Sequence, residues 1–200
     1  MRRPGDLRRR IVLQSRVTGQ DTFAQRILVW TDYLAGLVTG AAKPITSVTS
    51  GTTTLIQCQN HGWTEGQLVR LAGITGFPGL PCTYGVLAPG TNSFSVDLDT
   101  TGRTFTLSTA SATPVSGVPC SISPLTGREQ VNDEAVQAAL THVLTLRFST
   151  MLIDPIKVAS LRALFVHGPV RRVFNLTPSV NMDMRNRWLT VQASEGLLQG

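Results

Sequence analysis

Three cysteines and one histidine are the residues of this sequence with the clearest capacity for chemistry. Cys58 and His61 are separated by two residues, and Cys82 and Cys120 follow. Three thiolates and one imidazole form an allowed tetrahedral zinc set. The set has no second closely spaced ligand pair, and His61-Gly62 is also typical of a turn. We therefore predict no metal site and interpret the cysteines as small buried side chains.

The other histidines lack the neighbours that catalysis requires. His142 and His167 fall at a strand start and at a turn, and neither belongs to a recognisable motif with a nucleophile and an acid. The sequence has no phosphate-binding glycine loop and no HExxH motif. We predict that the protein is not an enzyme and that it uses no cofactor. The odd number of cysteines gives no disulfide framework and favours a reducing compartment.

Arginine is the dominant charged residue, and its distribution is uneven. The net charge is +6, but residues 41–121 contain three basic and three acidic side chains, so the whole excess lies outside that segment. The candidate contacts are Arg2, Arg3, Arg8, Arg9 and Arg10 near the start, Arg171 and Arg172 after a turn, and Arg185 and Arg187 on another turn. Such clusters suit a polyanion such as DNA. The alternatives are a solvated surface and ion pairs with acidic neighbouring subunits.

Short alternating segments must position these arginines. Strands are predicted at 7–14, 28–38, 143–148, 163–166, 170–176 and 187–193, and residues 15–26 are predicted as a loop. Residues 163–176 read as a hairpin around His167-Gly168-Pro169. Closing these five or six strands into a small barrel would remove their exposed edges.

One helix is predicted, after residue 125. Thr126 and Glu129 fit a capping box, in which each side chain satisfies a backbone donor of the other residue. An alternative role for Arg128 and Glu129 is an ion pair between subunits. The helix has a narrow apolar stripe of small residues, so it needs a surface to lie on.

The neutral segment 41–121 differs from the rest of the chain in composition. It is rich in Thr, Ser, Gly and Pro, and short strands are predicted at 53–57, 67–71, 84–88 and 94–98, with 108–121 as a return linker. We therefore predict a mainly β protein. Residues 1–40 and 122–200 form a discontinuous barrel or sandwich scaffold with one α-helix, interrupted by an inserted small all-β domain. The insert is expected to project outward, and residues 42–120 are expected to be removable.

The scaffold segments resemble the phage head–tail connector family, also called head-closure or stopper proteins. The matching positions are Gly5, Leu7, Arg8, Arg10, Ile11, Gln14, Trp30, Ile122, Pro124, Leu125, Gly127, Arg128, Glu129, Thr141, His142, Arg147, Asp183, Arg185, Glu195 and Gly196. The segment from Ser149 to Leu164 departs from the family, which has a short basic turn there. The insertion is the larger departure.

The insert has a resemblance of its own. Ile45-Thr46, Gly51, His61-Gly62, Gly66, Val69, Leu71, Gly73, Gly76, Phe94 and Val96 carry it. They are similar to a small β-barrel module of phage virion proteins, which is related to the first catalytic-cysteine half-domain of ubiquitin-activating enzymes. That likeness implies a contact or decoration domain without catalysis.

The connector resemblance implies a structural role. It implies a ring of six or twelve copies in the virion neck, with a portal or adaptor ring above and tail-terminator or tail-tube proteins below. Packaged double-stranded DNA would pass through the centre, without base readout. The protein would be made in the cytoplasm of the host bacterium, with no membrane contact. The alternative is a tail-side adaptor or tail-terminator protein that makes only protein contacts.

Overall fold

The computed structural model describes residues 7–20, 26–77, 79–125, 141–168, 170–181 and 186–196. Its strands are β1 Arg9–Gln20, β2 Arg26–Leu34, β3 Lys43–Pro44, β4 Ser47–Thr49, β5 Thr54–Gln57, β6 Leu68–Thr75, β7 Thr83–Gly85, β8 Ser93–Val96, β9 Thr106–Pro114, β10 Val118–Pro124, β11 His142–Arg147, β12 Leu161–His167, β13 Val170–Asn181 and β14 Trp188–Glu195. A 3-10 turn covers Thr150–Leu152, and helix α1 covers Pro155–Ala159. The protein is therefore mainly β, as predicted.

Six antiparallel strands close into a small barrel. The order is β10-β11-β14-β13-β12-β1, and β1 also pairs with β10 to complete the circle. Closure leaves these six strands without a free edge along the paired stretch. Strand β2 pairs with the later part of β1 and lies outside the circle. The predicted small β-barrel scaffold is confirmed.

Alternation along β1 explains which side chains fill the barrel. Ile11 and Leu13 are fully buried in the barrel core. Val12 points to the opposite face of the strand, as the two-residue period requires, and is also fully buried. It packs in a separate apolar cluster that includes Leu68. Both faces of this part of β1 are therefore covered.

The strands between residues 43 and 114 form two further sheets. One has the order β3-β9-β6-β7 and the other β4-β5-β8. Both sheets contribute to a single core, in which Ile56, Leu71 and Phe94 are almost completely buried. Two sheets around one core make this segment a small all-β unit. We call residues 39–114 the insert.

The insert packs directly on the barrel wall. Val12, Leu164 and Val173 lie on the outer face of the barrel and meet Leu68 of β6 and Val115 in one buried cluster. Removal of apolar surface from water stabilises this contact. A buried apolar cluster that is separate from the two main cores therefore joins the insert to the scaffold.

Two sequence predictions about loops are wrong. Residues 15–20, predicted as loop, continue β1. The stretch 108–121, predicted as a linker, forms most of β9 and the start of β10. The Ser and Thr residues that suggested a linker alternate with buried Ala110 and Ala112, and Thr suits a pleated surface. Because β10 belongs to the barrel sheet, the predicted boundary at residue 121 falls inside a scaffold strand.

The predicted helix and its capping box, with Thr126, Arg128 and Glu129, lie outside the described residues. Helix α1 falls in the segment from Ser149 to Leu164, whose structure the sequence did not indicate. Asp154 caps it by accepting hydrogen bonds from the backbone N–H groups of Ile156 and Lys157, and Pro155 occupies its first turn. Its buried Val158 joins Leu152 in closing one end of the barrel core. Among the described residues, no helix is long and apolar enough to cross a membrane.

Candidate functional site

The end of the barrel opposite helix α1 gathers polar side chains from five of the six strands. Register places them there: Arg9 of β1 lies opposite Cys120, and Arg172 of β13 lies opposite Phe165. Residues paired across a ladder share a face, and Cys120 and Phe165 belong to the barrel core. Arg9 and Arg172 therefore sit on the inward side of their strands, at the barrel mouth.

A cavity of about 390 Å³ opens at this mouth. Its lining consists of Arg9, Ile122, Pro124, His142, Phe165, His167, Val170 and Arg172. Two of the arginines predicted from the sequence, Arg9 and Arg172, thus meet in one cavity although they are far apart in the chain. Both histidines that lacked a motif line the same cavity.

Arg172 is held by a carboxylate and an imidazole. Its Nε and Nη2 each donate to a Glu195 carboxylate oxygen at 2.5 Å. Its Nη2 also donates to His142 Nε2 at 3.1 Å. The guanidinium lies 5.2 Å from the ring centroid of Phe174, which adds a cation–π contact. This bidentate arrangement fixes the orientation of Arg172.

Thr141 completes the network and sets the tautomer of His142. Because arginine can only donate, His142 Nε2 must accept, so the ring proton is on Nδ1. His142 Nδ1 lies 2.8 Å from Thr141 Oγ1 and donates to it. The same oxygen accepts the backbone N–H of Glu195 at 2.8 Å. The imidazole is therefore held in its neutral form.

The electrostatics of the mouth follow from these contacts. Burial, and then the positive charge of Arg172, lower the pKa of His142, and Glu195 only partly offsets this. Hydrogen bonds from Arg172 lower the pKa of Glu195. The bond to Glu195 in turn raises the pKa of Arg172. The resting state is an ion pair beside a neutral histidine.

The contacts of the Arg9 guanidinium differ from those of Arg172. Its guanidinium lies over the ring of Phe165, 5.7 Å from the centroid, and the residue is exposed. No ion pair links Arg9 to any described carboxylate. Arg8 and Arg10 flank it on the same strand end and are also exposed. The mouth therefore has a basic rim.

The structure does not bring all the predicted arginines together. Arg171 points to the outer face of β13. It donates hydrogen bonds to the side-chain carboxylate and to the backbone carbonyl of Asp97 in the insert. Arg187 precedes β14 at the far end of the barrel, where its carbonyl accepts the N–H of Phe148. Arg2, Arg3 and Arg185 lie outside the described residues.

A second polar cluster joins the insert to the barrel, and the sequence analysis missed it. Asp32 of β2 is the central residue, with only 9% of its side chain exposed. Its carboxylate accepts the backbone N–H of Thr83 at 3.0 Å and the Thr83 hydroxyl at 2.5 Å. The thiol of Cys82 donates to it at 2.9 Å. The one signal in the sequence was an acidic residue within an otherwise apolar and aromatic strand.

Gln14 and Arg162 extend this cluster across the barrel wall. Gln14 lies opposite Asp32 in the β1–β2 ladder and donates to Cys82 Sγ at 3.1 Å. Its side-chain oxygen accepts from Arg162 Nε at 2.9 Å. Arg162 stacks over Trp30 at 4.2 Å from the ring centroid. Burial lowers the pKa of Arg162 to about 10.

The three cysteines and the histidine that could have formed a zinc site do not come together in the structure. Cys120 lies in the barrel core, whereas Cys58 and Cys82 lie in the insert core. His61 uses both ring nitrogens locally, with Nδ1 accepting the N–H of Trp63 and Nε2 bonding to the carbonyl of Ser93. Within the described ranges, no cluster of His, Cys, Asp and Glu could hold a metal ion. Burial raises the pKa of Cys120 to about 12.

Comparison with known proteins gives no family assignment. No protein-family model matches the sequence, and no curated protein matches it significantly.

Proposed function

We propose that this chain is a structural subunit of a phage neck, where copies of it form a ring that joins the portal side to the tail and surrounds packaged DNA. The observation that carries the proposal is the basic rim of the barrel mouth. Arg8, Arg9 and Arg10 are exposed at one strand end, and Arg172 lines the cavity behind them. A rim of this kind suits phosphate groups of DNA.

The charge distribution supports a sliding contact over a specific one. Contacts with phosphates position a protein on DNA but carry no sequence information. The described residues present no recognition helix of the kind that reads a major groove, since α1 has only five residues. A ring that lets DNA pass needs weak and non-specific contacts of this type.

The neutral insert supports a second, separate contact. It is held on the barrel wall by the apolar cluster and by Asp32, and its Gly66 and Asp97 reach the β12–β13 hairpin beside the mouth. In the proposed ring it would meet another virion component while the rim meets DNA. The proposal includes no catalytic step and no cofactor.

A specific observation favours the alternative, a tail-side adaptor or terminator that binds only proteins. Arg171 and Arg172 already pair with Asp97 and Glu195 within the chain. At the other barrel end, Met151, Ile153 and Ile156 expose 46%, 54% and 82% of their surface. Clustered exposed apolar side chains are typical of protein contacts.

Cryo-electron microscopy of the neck of intact particles tests the proposal. The particles must come from the phage that encodes this chain, with the chain identified in them by mass spectrometry. A ring between portal and tail, with the rim of Arg8, Arg9 and Arg10 facing the DNA channel, supports the connector function. Particles that lack the chain would exclude it. A ring with its rim against protein would favour the alternative.

Salt dependence separates the two functions in solution. A DNA-facing rim predicts that duplex binding weakens steeply between about 50 and 200 mM salt, because phosphate contacts release counterions. Glutamine at Arg8, Arg9 and Arg10 together should remove that binding. The protein-only alternative predicts no duplex binding by either form.

A further inference from the structure

The described lining of the cavity at the barrel mouth combines basic and apolar side chains without an acidic one. Its polar lining residues are all nitrogen donors or imidazoles: Arg9, His142, His167 and Arg172. The other described residues of the lining are apolar, and none is acidic. Glu195 binds Arg172 but does not line the cavity. A concave site with apolar walls and a few convergent polar groups is the usual form of a ligand site.

The nitrogen-bearing side chains of the lining come from four different strands. Arg9 comes from β1, His142 from β11, His167 from β12 and Arg172 from β13. Donors that converge from several walls suit an anion whose acceptor oxygens point in several directions, and a tetrahedral oxyanion fits this better than a planar carboxylate. Phosphate is also bound strongly by arginine, through charge-assisted hydrogen bonds.

We propose that this cavity is a binding site for a phosphate group, held between Arg9 and Arg172. Arg9 supplies a guanidinium with no carboxylate among its described neighbours. Arg172 keeps Nη1 free of hydrogen bonds to described residues, because Glu195 and His142 engage only Nε and Nη2. The Glu195 bond fixes Arg172 before the ligand arrives, which lowers the entropy cost of binding.

His142 adds a proton linkage to this site. The groups that face its imidazole are Arg172 from β13 and Glu195 from β14, and Arg9 and His167 share the cavity with it. A bound anion would favour the charged imidazole, so binding draws a proton onto His142 Nε2, in place of the hydrogen bond that this nitrogen accepts from Arg172. Affinity should therefore rise as the pH falls and should go on rising below the ordinary imidazole value of about 6.5, because burial and Arg172 lower the pKa of His142 in the free protein.

The phosphate group has two sources, a DNA backbone and free phosphate. The pocket itself rests on geometry, whereas its link to packaged DNA rests on the proposed neck function. Inorganic phosphate and a short DNA duplex are therefore titrated separately into the full chain by calorimetry at low ionic strength. Arg9→Gln is the test variant. Arg16→Gln is the matched control, because it removes the same charge from an exposed position on the same strand that belongs to neither the rim nor the cavity.

The expected result is that Arg9→Gln weakens inorganic phosphate binding about tenfold or more, while Arg16→Gln changes it less than about twofold. If neither phosphate nor the duplex binds, or if the two variants behave alike with both ligands, the site is refuted. Phosphate binding without duplex binding supports the pocket and counts against the DNA channel. Duplex binding that only Arg9→Gln weakens supports the pocket with DNA as its source.

Sulfate provides the test of the proton linkage, because it remains a dianion over the whole range of interest. Wild type should bind sulfate more tightly at pH 6 than at pH 7.5. His142→Gln should reduce that difference, and the double variant His142→Gln/His167→Gln measures what the second imidazole of the cavity contributes. A pH difference as large in His142→Gln as in wild type would overturn the role of His142. Far-ultraviolet circular dichroism of each variant confirms that the barrel is intact.

Discussion

The carboxylate of Asp32 in strand β2 accepts both the backbone N–H and the hydroxyl of Thr83 in the insert, at 3.0 and 2.5 Å. These residues are 51 positions apart, and both are buried or nearly so. The pair ties the two parts of the fold together in a way that apolar packing alone does not, because it fixes the position of β7 relative to β2.

Replacing Asp32 should destabilise the whole protein. Asp32→Ala leaves the N–H and hydroxyl of Thr83 without their acceptor, and we expect a loss of about 3 kcal/mol in the free energy of unfolding. Asp32→Asn keeps one acceptor oxygen and should cost less. Urea unfolding measures both. Asp97→Ala is the control, since its pair with Arg171 is largely exposed and should cost less than about 1 kcal/mol. Equal losses for Asp32→Ala and Asp97→Ala would contradict this ranking.

Thiol labelling of Cys82 should report the same contact in the native state. Cys82 is buried, and burial followed by the charge of Asp32 raises the pKa of its thiol. The wild-type thiol should therefore react very slowly with iodoacetamide. Asp32→Ala should accelerate labelling of Cys82, as followed by mass spectrometry, but not of Cys120 in the barrel core. Equal acceleration at both cysteines would indicate global unfolding instead.

The backbones of Gly66 in the insert and Gly168 in the barrel approach each other closely. A Cβ on Gly66 would lie 2.4 Å from the backbone nitrogen of Gly168, and Gly66 has φ of +79°. Gly62 has a similar φ of +69° but open space around it. Gly62→Ala should therefore cost only the left-handed strain, about 1 kcal/mol. Gly66→Ala should cost about 2 kcal/mol more, because backbone must move. Thermal unfolding of both variants measures the difference, and similar melting temperatures would refute the close contact.

The pair of Glu195 and Arg172 predicts an acid-sensitive contribution to stability. The hydrogen bonds from Arg172 lower the pKa of Glu195 below its ordinary 4.5, so the unfolded chain takes up this proton first as pH falls. The contribution is complete above about pH 4.5 and is lost as the pH falls through the lowered pKa. Glu195→Gln should be less stable than wild type at pH 7, by less than about 1 kcal/mol because the pair is exposed. The two urea midpoints should converge towards pH 3. A constant difference across this range would contradict the assignment.

The sequence predicted individual strands better than it predicted which strands pair with each other. Alternation identified the hairpin of β12 and β13 and the last strand, because Leu189, Val191 and Ala193 are all buried on one face as expected. It missed β9 because Thr and Ser composition resembles a linker when the partner strand is unknown. This segment forms a strand because it pairs with β6, which lies more than 30 residues earlier in the chain, as in the pair of Leu71 and Ala112.

The candidate site was predictable only in part. The charge pattern indicated Arg9 and Arg172, but nothing local indicates that they share a cavity, since barrel closure brings them together. Sequence also could not show that Arg171, next to Arg172, turns to the opposite face and binds Asp97. The two-residue period of a strand makes that separation inevitable once the register is known.

Removal of the insert tests where the boundary between the two parts lies. All three registered pairs between β1 and β10 involve Val118, Pro119 and Cys120. Deleting residues 42–120, as the sequence suggested, removes them all, so the barrel cannot close. Deleting 39–114 keeps them. Val38 and Val115 form an antiparallel bridge there, which an Asn-Gly turn can connect.

We expect the 39–114 deletion to unfold cooperatively in urea and the 42–120 deletion not to do so. The shorter deletion should still be less stable than the full chain, because Val12, Leu164 and Val173 lose the apolar cover of Leu68. Asp32 also loses Thr83. Adding Asp32→Ser to the shorter deletion should therefore cost almost nothing, whereas an Asp32 substitution is costly in the full chain. A large cost in the deletion background would mean that Asp32 stabilises the barrel itself rather than its contact with the insert.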